Sequence, residues 1–99
     1  MDWANPHARI FLDAKDAGGK VTKWEFELGA LNGLTKAGWK KNTVKTGNSI
    51  TVDGWQSKNR ANEANAKSVR LPDGHEMSAA SSIVDPNAND TKVSSTASK

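Results

Sequence analysis

The chain has no cysteine among its 99 residues, which excludes disulfide staples, zinc–thiolate centres, iron–sulfur clusters and thiol catalysis. The same absence does not fix a compartment, since exported chains also do without cysteine. Only two histidines are present, a poor transition-metal donor set unless carboxylates such as Asp73 or Glu76 join it. No apolar run approaches the length of a membrane span. The opening Met1-Asp2-Trp3-Ala4-Asn5-Pro6-His7 has no basic region followed by an apolar stretch, so no export signal is expected in the chain as it stands. Glycine-rich phosphate loops, the dinucleotide fingerprint, calcium loops and nucleophile elbows are all missing, and no internal repeat is found.

Apolar residues are also scarce, at 35%, and nearly all the large ones precede Met77. One domain fits in this length, and a chain so short buries only about 60–65% of the surface its unfolded form exposes. The formal charge is +3. Residues 1–77 carry twelve Lys and Arg against nine Asp and Glu, and the remainder is balanced. A mild excess of this kind permits anion contact without demanding a nucleic-acid partner.

What is present is alternation. Ile10 and Leu12 fall on one face of a strand within Ala8–Asp13, with Arg9, Phe11 and Asp13 on the other. Asp16 to Lys20 contains Gly18-Gly19 and reads as a hairpin turn. From Val21 to Leu28, Trp24, Phe26 and Leu28 share one face, and Lys23, Glu25 and Glu27 share the wet one. The period then changes: Leu31, Leu34 and Ala37 recur at helical spacing, and Gly38 stands at a C-cap position. A short helix over 31–37 is predicted, with Gly33 weakening it by roughly 1 kcal/mol relative to alanine.

Ile50 and Val52 alternate up to Gly54 and Trp55 in a third strand. After a polar loop from Ser57 to Glu63, Ala64–Leu71 forms a fourth, whose alternation breaks between Ala66 and Val69 and predicts a bulge. Pro72-Asp73-Gly74 is a turn, and His75 to Met77 returns as a short strand. From Ser78 onward the chain is Ser, Ala, Thr, Asn, Asp and Lys with three larger apolar side chains, Ile83, Val84 and Val93. That content offsets little ordering entropy, so residues 78–99 are expected to be a disordered polar tail behind a domain spanning 1–77.

The fold class predicted is mostly β with one short helix: strand, strand, helix, strand, strand. This is the order of an OB-like barrel lacking its first strand, with the helix plugging one open end. An open sheet with one helix on its apolar face is the alternative. Without a strand before Ala8, one sheet edge presents unpaired backbone groups. A neighbouring chain or the polar tail must cover it, or the domain is only marginally folded; self-association through that edge is the expectation.

Several segments resemble the DUF6152 family of uncharacterised bacterial proteins. They are Trp3-Ala4-Asn5-Pro6-His7-Ala8-Arg9-Ile10, Trp24-Glu25-Phe26-Glu27-Leu28-Gly29, Leu34 with Gly38-Trp39, Gly47 to Gly54, and Val69-Arg70-Leu71-Pro72-Asp73-Gly74. The resemblance implies a compact β-barrel-like domain, exported to the periplasm, with no established activity. It also implies a signal peptide, a His-His-Ser segment and one further strand ahead of the Trp-x-Asn-Pro-His motif. On that resemblance this chain is expected to be an N-terminally shortened member that begins at the family's second strand.

Three sets of residues carry candidate chemistry. His7, in Asn5-Pro6-His7, is a candidate metal ligand or acid/base group, with His75 as a second ligand; a proline-fixed structural turn is the simpler reading. Trp3 and Trp55 are the tryptophans expected to be exposed. Together with Lys36, Lys40, Lys41 and Lys45 around the helix end they suit an anionic ligand, a nucleic acid or an oligosaccharide. Trp24 and Trp39 read instead as core. Glu25 and Glu27 are spaced for acid/base work, yet such a row is ordinarily a solvated strand face with cross-strand cations. The reading is a non-catalytic binding or interaction module of unknown ligand, not an enzyme, with no cofactor.

Overall fold

The computed structural model describes residues 1–4, 6–15, 17–56, 61–80 and 89–98. Residues 57–60 of the loop expected from Ser57 to Glu63, and residues 81–88, fall outside them.

The first hairpin follows the alternation. β1 (Arg9–Lys15) and β2 (Val21–Glu27) pair antiparallel from Arg9↔Glu27 to Lys15↔Val21. The turn between them uses Gly19 at φ +83°, a backbone state that side chains with a β-carbon disfavour; Asp16 lies outside the described residues. Ile10, Leu12 and Phe26 are fully buried, and Leu28 nearly so. Trp24 is half-buried, its ring 5.8 Å from that of Phe26 and inclined by 19°, an offset stack at the edge of the core.

The helix α1 (Leu31–Lys36) ends one residue earlier than its periodicity predicts. Its N-cap Ala30 makes no side-chain cap, so packing and its C-terminal motif hold it. Gly38, at φ +98°, donates to the Thr35 carbonyl (3.1 Å), and Trp39 N–H donates to the Leu34 carbonyl (2.9 Å). These two bonds form a Schellman motif, and it brings Leu34 and Trp39 together as its hydrophobic pair. Both are buried. The Trp39 indole also donates to the Ser78 carbonyl at 2.8 Å. Trp39 is therefore a core residue, as its place after the cap predicts.

β3 (Ser49–Gln56) and β4 (Glu63–Arg70) pair antiparallel with a shift in register. Asp53 faces Ser68, but Gly54 faces Ala66, leaving Lys67 as the extra residue of the bulge expected between Ala66 and Val69. The bulge lets Ala64, Ala66 and Val69 all point inward. Gly54 is required there: a β-carbon would lie 2.2 Å from the Asn65 carbonyl oxygen. The N-terminal half of β4 pairs in parallel with β2, Glu25↔Glu63 to Glu27↔Asn65. Its C-terminal half carries β5 (Glu76–Ser78).

The tail departs from expectation. Residues 89–98 form β6 (Asn89–Ser98), antiparallel to β3 over eight residue pairs and to β1 over three. The sheet closes in the order β1-β2-β4-β3-β6, a five-stranded OB-like barrel with β5 as an extra strand. The domain thus does not end at residue 77. The expectation of disorder across 78–99 fails for 89–98 because it weighed side-chain burial alone. The strand satisfies its backbone groups in a ladder to β3 along eight residues and to β1 over its last three, and its small residues fit a barrel already filled by Ile, Leu, Phe and Trp. The position expected to lack a strand is occupied by β6, and the β1 edge expected to be bare is covered along Phe11–Asp13. Of the explanations weighed for that edge, coverage by the polar tail is the one observed.

Candidate ligand-binding face

Because side chains alternate, the residues of β3 that do not enter the core, Ser49, Thr51, Asp53 and Trp55, line one outer row. Beside them on β6 stand Thr96, Ser94, Lys92 and Asp90, each directly opposite. On the other flank, Arg70 faces Thr51 and Ser68 faces Asp53, and Glu76 follows on β5 opposite Arg70. The four strands thereby present a field of hydroxyls with single charges set into it. Thr51 and Ser94 share a hydrogen bond of 2.8 Å between their hydroxyls.

The field is not flat. A depression of about 450 Å³ opens where β3, β6 and the β4–β5 turn meet, with Ser49, Thr51, Arg70, Leu71, Ser94 and Thr96 among its lining. A smaller recess of about 40 Å³ adjoins it, sharing Thr51 and Arg70 and adding Asp53, Ser68, Glu76 and Lys92. Arg70 stands at the junction of the two. One guanidinium nitrogen is 3.1 Å from a Glu76 carboxylate oxygen and another reaches the Gly74 carbonyl at 3.5 Å. The arginine is thus aimed by the turn while more than half of its side chain stays open to solvent.

None of the predicted lysines is among the residues that line this depression. Lys36 closes α1, and Lys40, Lys41 and Lys45 are exposed on the segment leading into Ser49. Asn48 ties that segment down by accepting from Lys45 N–H (2.8 Å), and Gly47 N–H donates to the Ala97 carbonyl of β6 (2.8 Å). The lysine-bearing loop is therefore anchored to the same strands that form the depression.

The predicted tryptophans are not gathered with them. Trp55 is half-buried at the opposite end of its row, with the Lys67 ammonium 4.8 Å above its ring, a cation–π contact. Lys67 also stands 4.0 Å from Asp90. Trp3 is half-buried and packs against the core, beside the short Asp2–Arg9 bridge that precedes β1.

His7 lies at the start of β1 with Nδ1 2.6 Å from a Glu27 carboxylate oxygen. His75 is exposed in the β4–β5 turn, where its N–H donates to the Asp73 carboxylate at 2.8 Å. Among the described residues no three His, Asp or Glu side chains come together in a way that could hold a metal. Glu25 and Glu27 occupy the wet face with cross-strand cations: Glu27 faces Arg9, and Arg9 Nε is 3.9 Å from Glu25. Glu25 lies opposite Glu63 across the parallel seam. Burial, a hydrogen bond to Glu63, and the charges of Glu63 and Glu27 together raise its carboxyl above the ordinary value, against the pull of Arg9.

Sequence reasoning did not find Arg70, Thr51, Ser94 or Thr96. They come from three strands far apart in sequence, and the polar composition of β6 gives no strand signal.

The model of a family of unknown function, DUF6152, matches residues 1–66. The match spans β1, β2, α1, β3 and the first half of β4; β5 and β6 follow it. No curated protein and no solved structure matches the chain.

Proposed function

The chain belongs to the DUF6152 family, whose function is unknown, and we propose that it is a non-catalytic binding module for a small anionic, hydroxyl-rich ligand such as an acidic oligosaccharide. The observation that carries this reading is Arg70 lining a hydroxyl-rich depression. A guanidinium meets a carboxylate, sulfate or phosphate through paired N–H donors. Serine and threonine hydroxyls, each donor and acceptor at once, match sugar hydroxyls. Leu71 adds apolar surface for a sugar's carbon face. Lys40, Lys41 and Lys45 on the neighbouring loop supply long-range attraction, which falls off as salt is added.

The chemistry of the ligand class also includes a nucleic-acid backbone, so the test has two arms. The full chain is titrated, with backbone amide shifts recorded, against an acidic oligosaccharide and against single-stranded DNA, at low and at moderate salt. The reading predicts shifts at Thr51, Arg70, Ser94 and Thr96 with the oligosaccharide, weakened by salt and abolished in Arg70→Ala. A response to DNA alone, centred on Trp55 and Trp3, supports recognition through stacking aromatics instead. Unmoved amides in both arms at low salt overturn the reading.

A further inference from the structure

β6 closes the barrel, yet it contributes little to the core. Its inward row reads Thr91, Val93, Ser95, Ala97, and of these only Val93 and Ala97 join the buried apolar set. The strands on either side supply Ile10 and Leu12 from β1, and Ile50 and Val52 from β3. The fit is also imperfect in its polar groups. The Ser98 hydroxyl is buried with no hydrogen-bond partner among the described residues, which costs free energy that a better-matched strand avoids. The Ser95 hydroxyl turns to the Asp13 carbonyl. β6 meets β1 over Phe11–Asp13 alone, whereas β2 pairs with all seven residues of β1.

What holds β6 is therefore its backbone ladder to β3 and a set of cross-strand polar pairs: Thr51 with Ser94, Asp53 opposite Lys92, and Lys67 near Asp90. The same Asn89–Ser98 strand taken from another molecule reproduces every one of these contacts, in the same antiparallel register and with the same charge complementarity.

We propose that the cleft between β1 and β3 is a strand-accepting interface, and that two copies of this chain exchange β6 to form a two-fold symmetric dimer. The contact is isologous, since each molecule donates β6 and accepts its partner's, so association stops at two. Exchange also removes the exposed edge that an empty cleft presents whenever β6 detaches. The proposal is independent of the ligand reading. It adds one consequence: in the dimer each depression contains Arg70 and Thr51 of one molecule and Ser94 and Thr96 of the other.

The chain's lack of cysteine makes the test direct. Full-length Thr51→Cys and Ser94→Cys single variants are mixed, opened in mild urea, diluted out and oxidised. A disulfide between different molecules joins these two positions when β6 of one lies on β3 of the other. The control replaces Ser94→Cys by Thr35→Cys, on the exposed side of α1. Exchange predicts a Thr51–Ser94 heterodimer at least about threefold above the control and rising with protein concentration. Light scattering on the unsubstituted chain, which involves no variant, must show a dimer fraction that rises over the same concentrations. A yield equal to the control's overturns the proposal, even if a dimer is present, because the association is then not by exchange. So does a monomer at every concentration.

Discussion

Glu25 and Glu63 stand directly opposite each other where β2 and β4 run parallel, at the three-residue seam that closes the barrel. Glu27 lies on the same wet face, with the Arg9 guanidinium near Glu25 and the His7 ring 2.6 Å from Glu27. Partial burial and the shared hydrogen bond favour a protonated Glu25, and its carboxyl is held above the ordinary 4.5. A raised carboxyl in the folded state means that the fold binds the proton more tightly than the unfolded chain does. Its stabilising effect is full below the ordinary value and is lost as pH rises through the raised one. As pH rises from the ordinary carboxyl value toward neutrality the wild type should therefore lose a small part of its stability, and Glu25→Gln should not. Thermal melts of the two proteins across that window check this; parallel curves contradict it.

Gly54 sets the bulge. A methyl group at this position meets the Asn65 carbonyl oxygen at 2.2 Å and the Ala66 α-carbon at 3.2 Å, and both are backbone atoms with nowhere to go. Gly54→Ala should cost on the order of 3 kcal/mol. Urea unfolding followed by tryptophan fluorescence reads the loss, and a cost below about 0.5 kcal/mol refutes the close approach.

Much of this architecture was legible in the sequence, and the reason is the size of the side chains involved. Trp24, Phe26 and Leu28 alternate with Lys23, Glu25 and Glu27, so one face of β2 could only be buried; the change of period at Leu31 and Leu34 marked the helix. The disturbed alternation from Ala66 to Val69 marked the bulge. β6 was not legible for the opposite reason. Thr91-Lys92-Val93-Ser94-Ser95-Thr96-Ala97 carries too little apolar surface to announce a strand, and its order comes from two neighbouring ladders that only the closed barrel supplies. The ligand face was lost with it, since two of its hydroxyls, those of Ser94 and Thr96, belong to β6. The lysine cluster around the helix end was read from the residues alone, and its side chains are exposed without lining the depression. Trp3 and Trp55, the tryptophans expected to be exposed, are both half-buried, because Trp3 packs against the core and a residue of the bulge, Lys67, covers the ring of Trp55.

Trp39 joins the helix cap to the extra strand. Its buried indole donates to the Ser78 carbonyl at 2.8 Å, at the C-terminal end of β5. Trp39→Phe removes that bond and part of the ring volume, and should cost about 2 kcal/mol. Denaturant unfolding measures it. The variant should also speed amide exchange at Met77 and Ser78, and unchanged exchange there contradicts the link between cap and strand.

Glu76 competes for the arginine of the depression. Its carboxylate lies 3.1 Å from the guanidinium, on a pair exposed enough to contribute little to stability. Glu76→Gln should leave unfolding within about 0.5 kcal/mol of wild type while tightening an acidic oligosaccharide roughly two- to fivefold. Titration calorimetry at low salt decides it. Unchanged affinity means that Arg70 does not meet the anion.

The central claim is that the C-terminal segment is a structural strand of the barrel. Amide hydrogen exchange on the full chain tests it most directly, read residue by residue along β6. The account predicts protection from Val93 to Ala97 of the same order as that from Ile50 to Gly54 on β3. Amides of Val93 to Ala97 exchanging at the rate of an unstructured peptide, while β3 stays protected, would contradict it.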